Sequence, residues 1–365
     1  MDFTRNEAAQ DLSGLVGTIV GSVCTPEHQR ELDGLDQRFD TALWRKLIDA
    51  DILSTAAPES VGGGGFGVLE QTAILTALGR QLAAVPYLES VVLGAGALAR
   101  FAPAALQQAW AASAVAGAKV LTVALDGELG QGPVRATAAD AGFRLTGSRI
   151  PVPFGPVADA FLVPAETDTG TKVFLIGADD SGVSVTALQT TGLTSSAELD
   201  LAGVQVGADR VVGGDEALAW LTARRAVGLS AYQLGALERA LELTAEYART
   251  REQFDRPIGS FQAVSQRLAD DYIDIKGLRL ACEQAAWRLS EDLPADLEVA
   301  TAAFWAAEAG HRVAHTTVHV HGGVGIDTDH PVHRYFISAK QTEFALGGAT
   351  AHLRVIGREL ADTPA

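Results

Sequence analysis

From Glu216 to Glu252 the chain carries no proline and only two glycines, Gly228 and Gly235. Proline removes a helical hydrogen bond and clashes with the preceding turn, so its absence permits one long helix. Helix breakers then arrive in clusters: Asp255, Pro257 and Gly259, then Asp292, Pro294 and Asp296, then Gly322 and Gly323. Between them the sequence predicts helices over about 261–291 and 297–319. The tail from His333 to Leu360 reads as one or two more, broken near Gly347 and Gly348. Long helices with short connections form a bundle, which takes residues 216–365.

Two other textures precede it. Residues 1–115 are read as an N-terminal helical domain: Phe39–Ala50 has apolar residues at helical spacing, with Asp40 or Thr41 as its cap, and 69–82 and 88–98 repeat the pattern. Pro58 and the run Gly62–Gly65 interrupt it. Residues 116–215 change to short β-branched runs, 120–124, 173–176 and 183–187, with Gly and Asp between them, which read as a β domain.

Composition narrows the function. At 365 residues the chain is long enough for two or three domains. A formal charge of −17 argues against nucleic acid or anionic lipid as partner. Cys24 and Cys282 are too few and too far apart for a disulfide framework or a zinc ribbon. The N-terminus lacks a basic signal-peptide region, and the apolar run Val91–Ala99, closed by Arg100, falls well short of a membrane span. A cytoplasmic location is the expectation.

Three segments carry chemistry: Pro58-Glu59-Ser-Val-Gly-Gly-Gly-Gly-Phe-Gly67, Arg249-Thr-Arg-Glu-Gln-Phe-Asp-Arg-Pro-Ile-Gly-Ser-Phe-Gln262, and His319-Val-His-Gly-Gly-Val-Gly325 with Asp329 and Arg334 behind it. In this order and spacing they resemble the acyl-CoA dehydrogenase family over nearly the whole chain. The resemblance implies that family's fold: an N-terminal α-helical domain, a middle β-barrel or sandwich domain, and a C-terminal four-helix bundle. It also implies FAD and the α,β-dehydrogenation of an acyl-CoA, in which a glutamate takes the α-proton and the flavin accepts hydride from the β-carbon.

The family's glutamate has no counterpart here. Its usual position falls on Leu346, with Gly347 next to it, and the position used by a minority of members falls on Arg225. Leucine cannot accept a proton, and arginine stays protonated. The resemblance therefore implies no catalytic residue in this chain. The family's contacts to its own flavin are replaced as well, by Ala124-Leu125-Asp126 followed by Gly130-Gln131-Gly132, and by Pro151-Val152-Pro153-Phe154-Gly155. Its own-subunit pyrophosphate contacts align with Gly348 and Thr350.

Contacts that the family makes across a subunit interface, to the ADP half of a neighbour's FAD, are kept. They map to Arg251, Phe254, Gln262, Gly322 and Gly323, with His319 where the family has glutamine. This asymmetry is similar to that of the non-catalytic β subunits of heterotetrameric steroid (cholesterol) side-chain acyl-CoA dehydrogenases. It implies a catalytic α partner in an α2β2 complex, a shared FAD, an acyl-CoA substrate reached through the partner, and a chain inactive alone. Two other readings stand beside it: a self-sufficient homo-oligomer with Glu343 as a relocated base, and a flavin-free scaffold of the same fold.

His311, His315 and His319 share one helix face at i, i+4, i+8, either as metal ligands or as a packed or interface face; without an HExxH, the reading takes no metal. His330 and His333 read as turn and surface residues. Glu343 is either that base or an ion-paired helix glutamate, and Glu238 and Glu242 are read as charged helix surface. Gly62–Gly65 either line a pocket mouth or form a permissive turn.

Overall fold

The computed structural model describes Phe3 and residues 6–127, 131–139 and 142–362. Helices come first: α1 (Glu7–Val23), α2 (Pro26–Asp33), α3 (Thr41–Asp49), α4 (Ile52–Thr55) and α5 (Val68–Arg80). A π-helical segment, Tyr87–Ala95, leads into the short helices α6 (Gly96–Phe101), α7 (Ala104–Leu106) and α8 (Ala112–Val115). Eight strands follow: β1 (Leu121–Val123), β2 (Val134–Ala139), β3 (Gly142–Pro153), β4 (Ala160–Thr167), β5 (Gly170–Gly177), β6 (Val183–Ala187), β7 (Ser196–Gly207) and β8 (Val211–Gly213). Then come α9 (Asp215–Thr250), a small hairpin β9 (Glu252–Gln253) and β10 (Arg256–Pro257), α10 (Gln262–Ser290), α11 (Asp296–His321), α12 (Val332–Ala345) and α13 (Ala349–Asp362).

The chain forms two compact units. One comprises residues 1–29, 68–83 and 226–365; the other comprises 30–67 and 84–225. Helix α9 passes from the second to the first after Arg225.

In the second unit the strands form one mixed sheet in the order β6-β7-β3-β2-β4-β5-β8, with β1 parallel to β4. The longest pairing, β3 with β7, is antiparallel from Gly142↔Gly207 to Pro153↔Ser196. Alternating residues of the sheet, among them Phe161, Val163, Phe174, Ile176, Leu199 and Leu201, make a fully buried core. Asp40 caps α3, its Oδ1 accepting from the Leu43 N–H at 2.9 Å. The polyglycine segment is a turn with a steric reason: a Cβ on Gly63 would lie 2.0 Å from the Ala57 oxygen.

In the first unit α11 packs against α10, α12 and α13. It does so through small residues, Ala302, Ala303, Ala306, Ala309 and Gly310, which let backbones approach closely. Gln233 of α9 uses that closeness, its Nε2 donating to the Ala306 and Ala339 carbonyls at 3.3 and 3.2 Å. Gly235 also has a packing role: a Cβ there would meet the Thr76 oxygen at 1.9 Å, and one on Gly79 would meet the Tyr232 oxygen at 2.0 Å. Glu242 is the exposed helix carboxylate expected, whereas the Glu238 side chain is only 14% exposed. Arg80 of α5 bonds Glu238 at 3.1 Å and Glu242 at 2.7 Å, and Arg279 of α10 also pairs with Glu238, so the carboxylates tie three helices together.

Candidate functional site

The site-bearing residues in the first unit gather where α9 and α11 end. Tyr247 stacks on His321, ring centroids 4.3 Å apart, and the Thr244 and Thr317 hydroxyls meet at 3.4 Å. The Arg251 N–H donates to the Tyr247 carbonyl at 2.8 Å, and Gly322 follows His321 directly, so the two predicted segments start from one stacked pair. His321 is buried, its Nδ1 2.8 Å from the Thr317 carbonyl, and burial holds its pKa below the usual histidine value. Sequence reading chose His319, which is exposed, and passed over His321. The signal for His321 is its place four residues after the buried Thr317, on the packed face.

Beyond Thr250 the chain makes a two-residue hairpin, with Gln253 paired to Arg256 and Glu252 to Pro257. Its central residues, Phe254 and Asp255, have φ of 55° and 60°. Such turns ordinarily take Asn-Gly. A phenylalanine in this conformation costs about 1–2 kcal/mol and gains nothing from burial, because Phe254 is 86% exposed. Its ring stands edge-on to Phe261 at 6.1 Å, and the Arg256 guanidinium lies 4.1 Å from the Phe261 ring centroid. Arg251 is exposed, and Gln262 is exposed as the first residue of α10.

Gly322 has φ 62° and ψ −138°, a region essentially closed to residues with a Cβ. A Cβ on Gly322 or Gly323 would find no heavy atom within 4 Å, whereas one on Gly325 would lie 2.7 Å from the Val318 oxygen. Gly325 is therefore a packing glycine, and the first two leave the backbone open to an approaching group. A solvent-facing guanidinium, a strained exposed ring and two uncovered glycines fit the diphosphate and adenosine parts of a dinucleotide.

The other sequence positions divide: Leu346, Phe154 and Ala124 are buried, whereas Gly347, Thr350 and Pro151 are exposed. Leu346 is 8% exposed and lies in the bundle core with Leu234, Leu237 and Leu278. Gly347 and Gly348 both have positive φ and form the break between α12 and α13. Arg225 pairs with Asp126. Burial raises the Asp126 pKa, against the charges of Arg225 and Arg149. Beside this pair, Glu89 on the π-helical segment is pushed up by burial to about 7, with Arg225 pulling it back; sequence reading missed it. Phe154 is 2% exposed, and its N–H donates to the Ser195 carbonyl at 2.8 Å. The Ala124 N–H donates to Leu162 at 2.9 Å. Gly130 lies outside the described residues.

Glu343 lies 2.5 Å from Lys340 Nζ and 3.4 Å from His311 Nδ1. His311 and His315 face each other at 4.5 Å. Among the described residues no group of three or more His, Cys, Asp or Glu could hold a metal ion. No helix among them is long and apolar enough to cross a membrane.

Comparison with known proteins gives a consistent picture. The family pattern described as "Acyl-CoA dehydrogenase, N-terminal domain" matches residues 6–118, and "Acyl-CoA dehydrogenase, C-terminal domain" matches residues 214–361. Acyl-CoA dehydrogenase FadE27 of Mycobacterium tuberculosis is 70% identical over 100% of both chains. A chain of the ChsE4-ChsE5 complex from Mycobacterium tuberculosis superposes with a TM-score of 0.98 at 72% identity, covering 100% of both chains. A variant of the Tcur3481-Tcur3483 steroid ACAD gives a TM-score of 0.92 at 36% identity, covering 98% of this chain and 99% of that one.

Proposed function

The chain belongs to the acyl-CoA dehydrogenase family, and from that premise we propose that it is the non-catalytic subunit of a heteromeric, FAD-dependent steroid acyl-CoA dehydrogenase, an α2β2 complex acting on a steroid side-chain CoA thioester. The two relatives named ChsE4-ChsE5 and Tcur3481-Tcur3483 support the heteromeric form, and the second supports the steroid substrate. In this family FAD supplies the hydride acceptor.

The observation that carries the reading is the contrast between kept and lost groups. Arg251, Phe254, Gln262, His319, Gly322 and Gly323 are all exposed, and all belong to the first unit. Arg251 would fork two N–H donors onto diphosphate oxygens, and Phe254 would offer its face to the adenosine. Gly322 and Gly323 would let backbone N–H groups come close. Groups serving a cofactor held by another subunit must stand on the surface in this way. The carboxylate that would take the α-proton is missing: Leu346 is core, Arg225 is already paired, and the partner must supply the base. The contacts of Glu343 to Lys340 and His311 support reading it as an ion-paired helix glutamate rather than a relocated base.

The test is Arg251→Ala in the co-purified complex, with bound FAD read by absorbance after ultrafiltration and assembly read by native mass. Loss of FAD from an intact complex is expected. FAD retained as in wild type removes Arg251 from the role.

A further inference from the structure

A heteromer needs a surface that grips the partner, and α10 and α11 carry a feature that the cofactor contacts leave unused. Between them lies a groove of about 900 Å³. Asp270, Asp271, Asp274 and Arg267 line it from α10, and Arg312 with two histidines lines it from α11. Three carboxylates against two guanidinium groups leave it net negative. Asp274 is buried and paired with Arg312.

Asp271 is held differently. It is 3% exposed, the Thr316 hydroxyl bonds its carboxylate, and its Oδ2 has no hydrogen-bond partner. A buried carboxylate with unmet acceptor capacity weakens the chain that carries it. Beside the groove, on the outer side of α10, Tyr272, Ile273 and Leu280 are 56%, 62% and 47% exposed, with Lys276 between them in sequence, its Nζ 5.2 Å from the Tyr272 ring centroid. An apolar strip next to an unsatisfied acid asks for an apolar surface bearing a cation. A free small cation would leave the strip uncovered. A second copy of this chain would bring a further net charge of −17 against an already acidic groove.

We infer that this groove is a docking site for the partner subunit, and that a lysine or arginine of that subunit, carried on an apolar helical surface, enters it and bonds Asp271 Oδ2. The inference rests on the heteromeric reading above. The cation supplies the donor that the fold withholds, and the neighbouring strip covers the contact from water, which strengthens it.

Asp271→Asn keeps the shape and removes the charge. In the isolated chain at pH 8 the variant melts no lower than wild type, because a poorly partnered buried charge is gone. Its affinity for the co-expressed acyl-CoA dehydrogenase subunit falls about tenfold or more, a loss of about 1.4 kcal/mol or more.

Burial pushes the Asp271 carboxyl to about 7; Thr316 and Arg267 pull it down, and Asp274 and Asp270 push it up. Wild-type association therefore strengthens as pH rises through 7. His311 and His315 face the groove, with Lys340 and Glu343 beyond His311, and all four remain in the variant. The difference between the two pH profiles thus isolates Asp271.

Unchanged affinity and an unchanged profile in the folded variant overturn the docking site and leave the heteromeric reading standing. A wild-type chain that associates with no acyl-CoA dehydrogenase subunit overturns both. Should Asp271→Asn not fold, Ile273→Asp on the exposed rim replaces it: loss of association is expected, and undiminished association overturns the inference.

Discussion

Arg251, Phe254 and Gly322 stand in solvent on open or strained backbone, whereas Leu346, Phe154 and Ala124 are sealed in apolar packing. Packing can replace function at the second set without cost, because an apolar side chain in a core stabilises the fold directly. Nothing of that kind explains the first set. Phe254 holds an unfavourable φ with its ring in water, and Gly322 and Gly323 leave space that no side chain fills. Local strain without a local gain points to a ligand or partner outside the chain.

The largest way to break this contrast is Leu346→Glu. If the position is core, the carboxylate meets Leu234, Leu237 and Leu278 and the fold loses about 3–5 kcal/mol or more, read as a fall in melting temperature. A stable variant that dehydrogenates an acyl-CoA alone would instead mean that the pocket is intact and lacks only its base.

Next comes Arg251→Ala. Charge-assisted hydrogen bonds contribute about 1.5–3 kcal/mol, so FAD should bind roughly ten- to a hundredfold more weakly in the complex. Arg251→Lys should recover only part of this, because an ammonium cannot fork onto two oxygens. Full recovery would reduce Arg251 to a point charge.

Glu89 sharpens the account of the sealed region. Its folded pKa, about 7, lies above its ordinary 4.5. Between these values the folded chain binds more protons than the unfolded one. Its contribution is therefore fully present below about 4.5, falls as pH rises, and is lost above about 7. One group contributes a slope of at most about 1.4 kcal/mol per pH unit. Glu89→Gln should remove that step from denaturation midpoints measured against pH; an unchanged profile would place Glu89 in water.

The smallest effect is Phe254→Asn. Asparagine tolerates the left-handed conformation, so the isolated chain should gain up to about 1 kcal/mol while FAD retention in the complex falls. A loss of stability would mean that the ring packs on Phe261 more than its exposure indicates.

Much of this was legible in the sequence. The helix expected over about 261–291, between the breakers Pro257 and Pro294, matches α10 to within a residue at each end, and Gly347-Gly348 marks the break before α13. Strands β3 and β7 were not legible. Their exposed residues, Arg144, Thr146, Pro151, Asp200, Ala202 and Gln205, are mostly poor strand formers, and irregular register between Leu145/Thr146 and Arg149/Val152 breaks the alternation. The hairpin at 252–257 gave no signal, because Phe-Asp stands where the turn would take Asn-Gly. Gly235 read as a weak helix position because its reason is a neighbouring helix. Asp271 was findable: it sits four and seven residues before the buried Ile275 and Leu278, on the inward face of α10.

The most direct test of the central claim is a visible absorption spectrum with a native mass, on the chain alone and on the chain co-purified with its partner. A colourless chain alone and a yellow complex with one FAD per pair of unlike subunits is the predicted result. A yellow homo-oligomer that turns over an acyl-CoA unaided would contradict it.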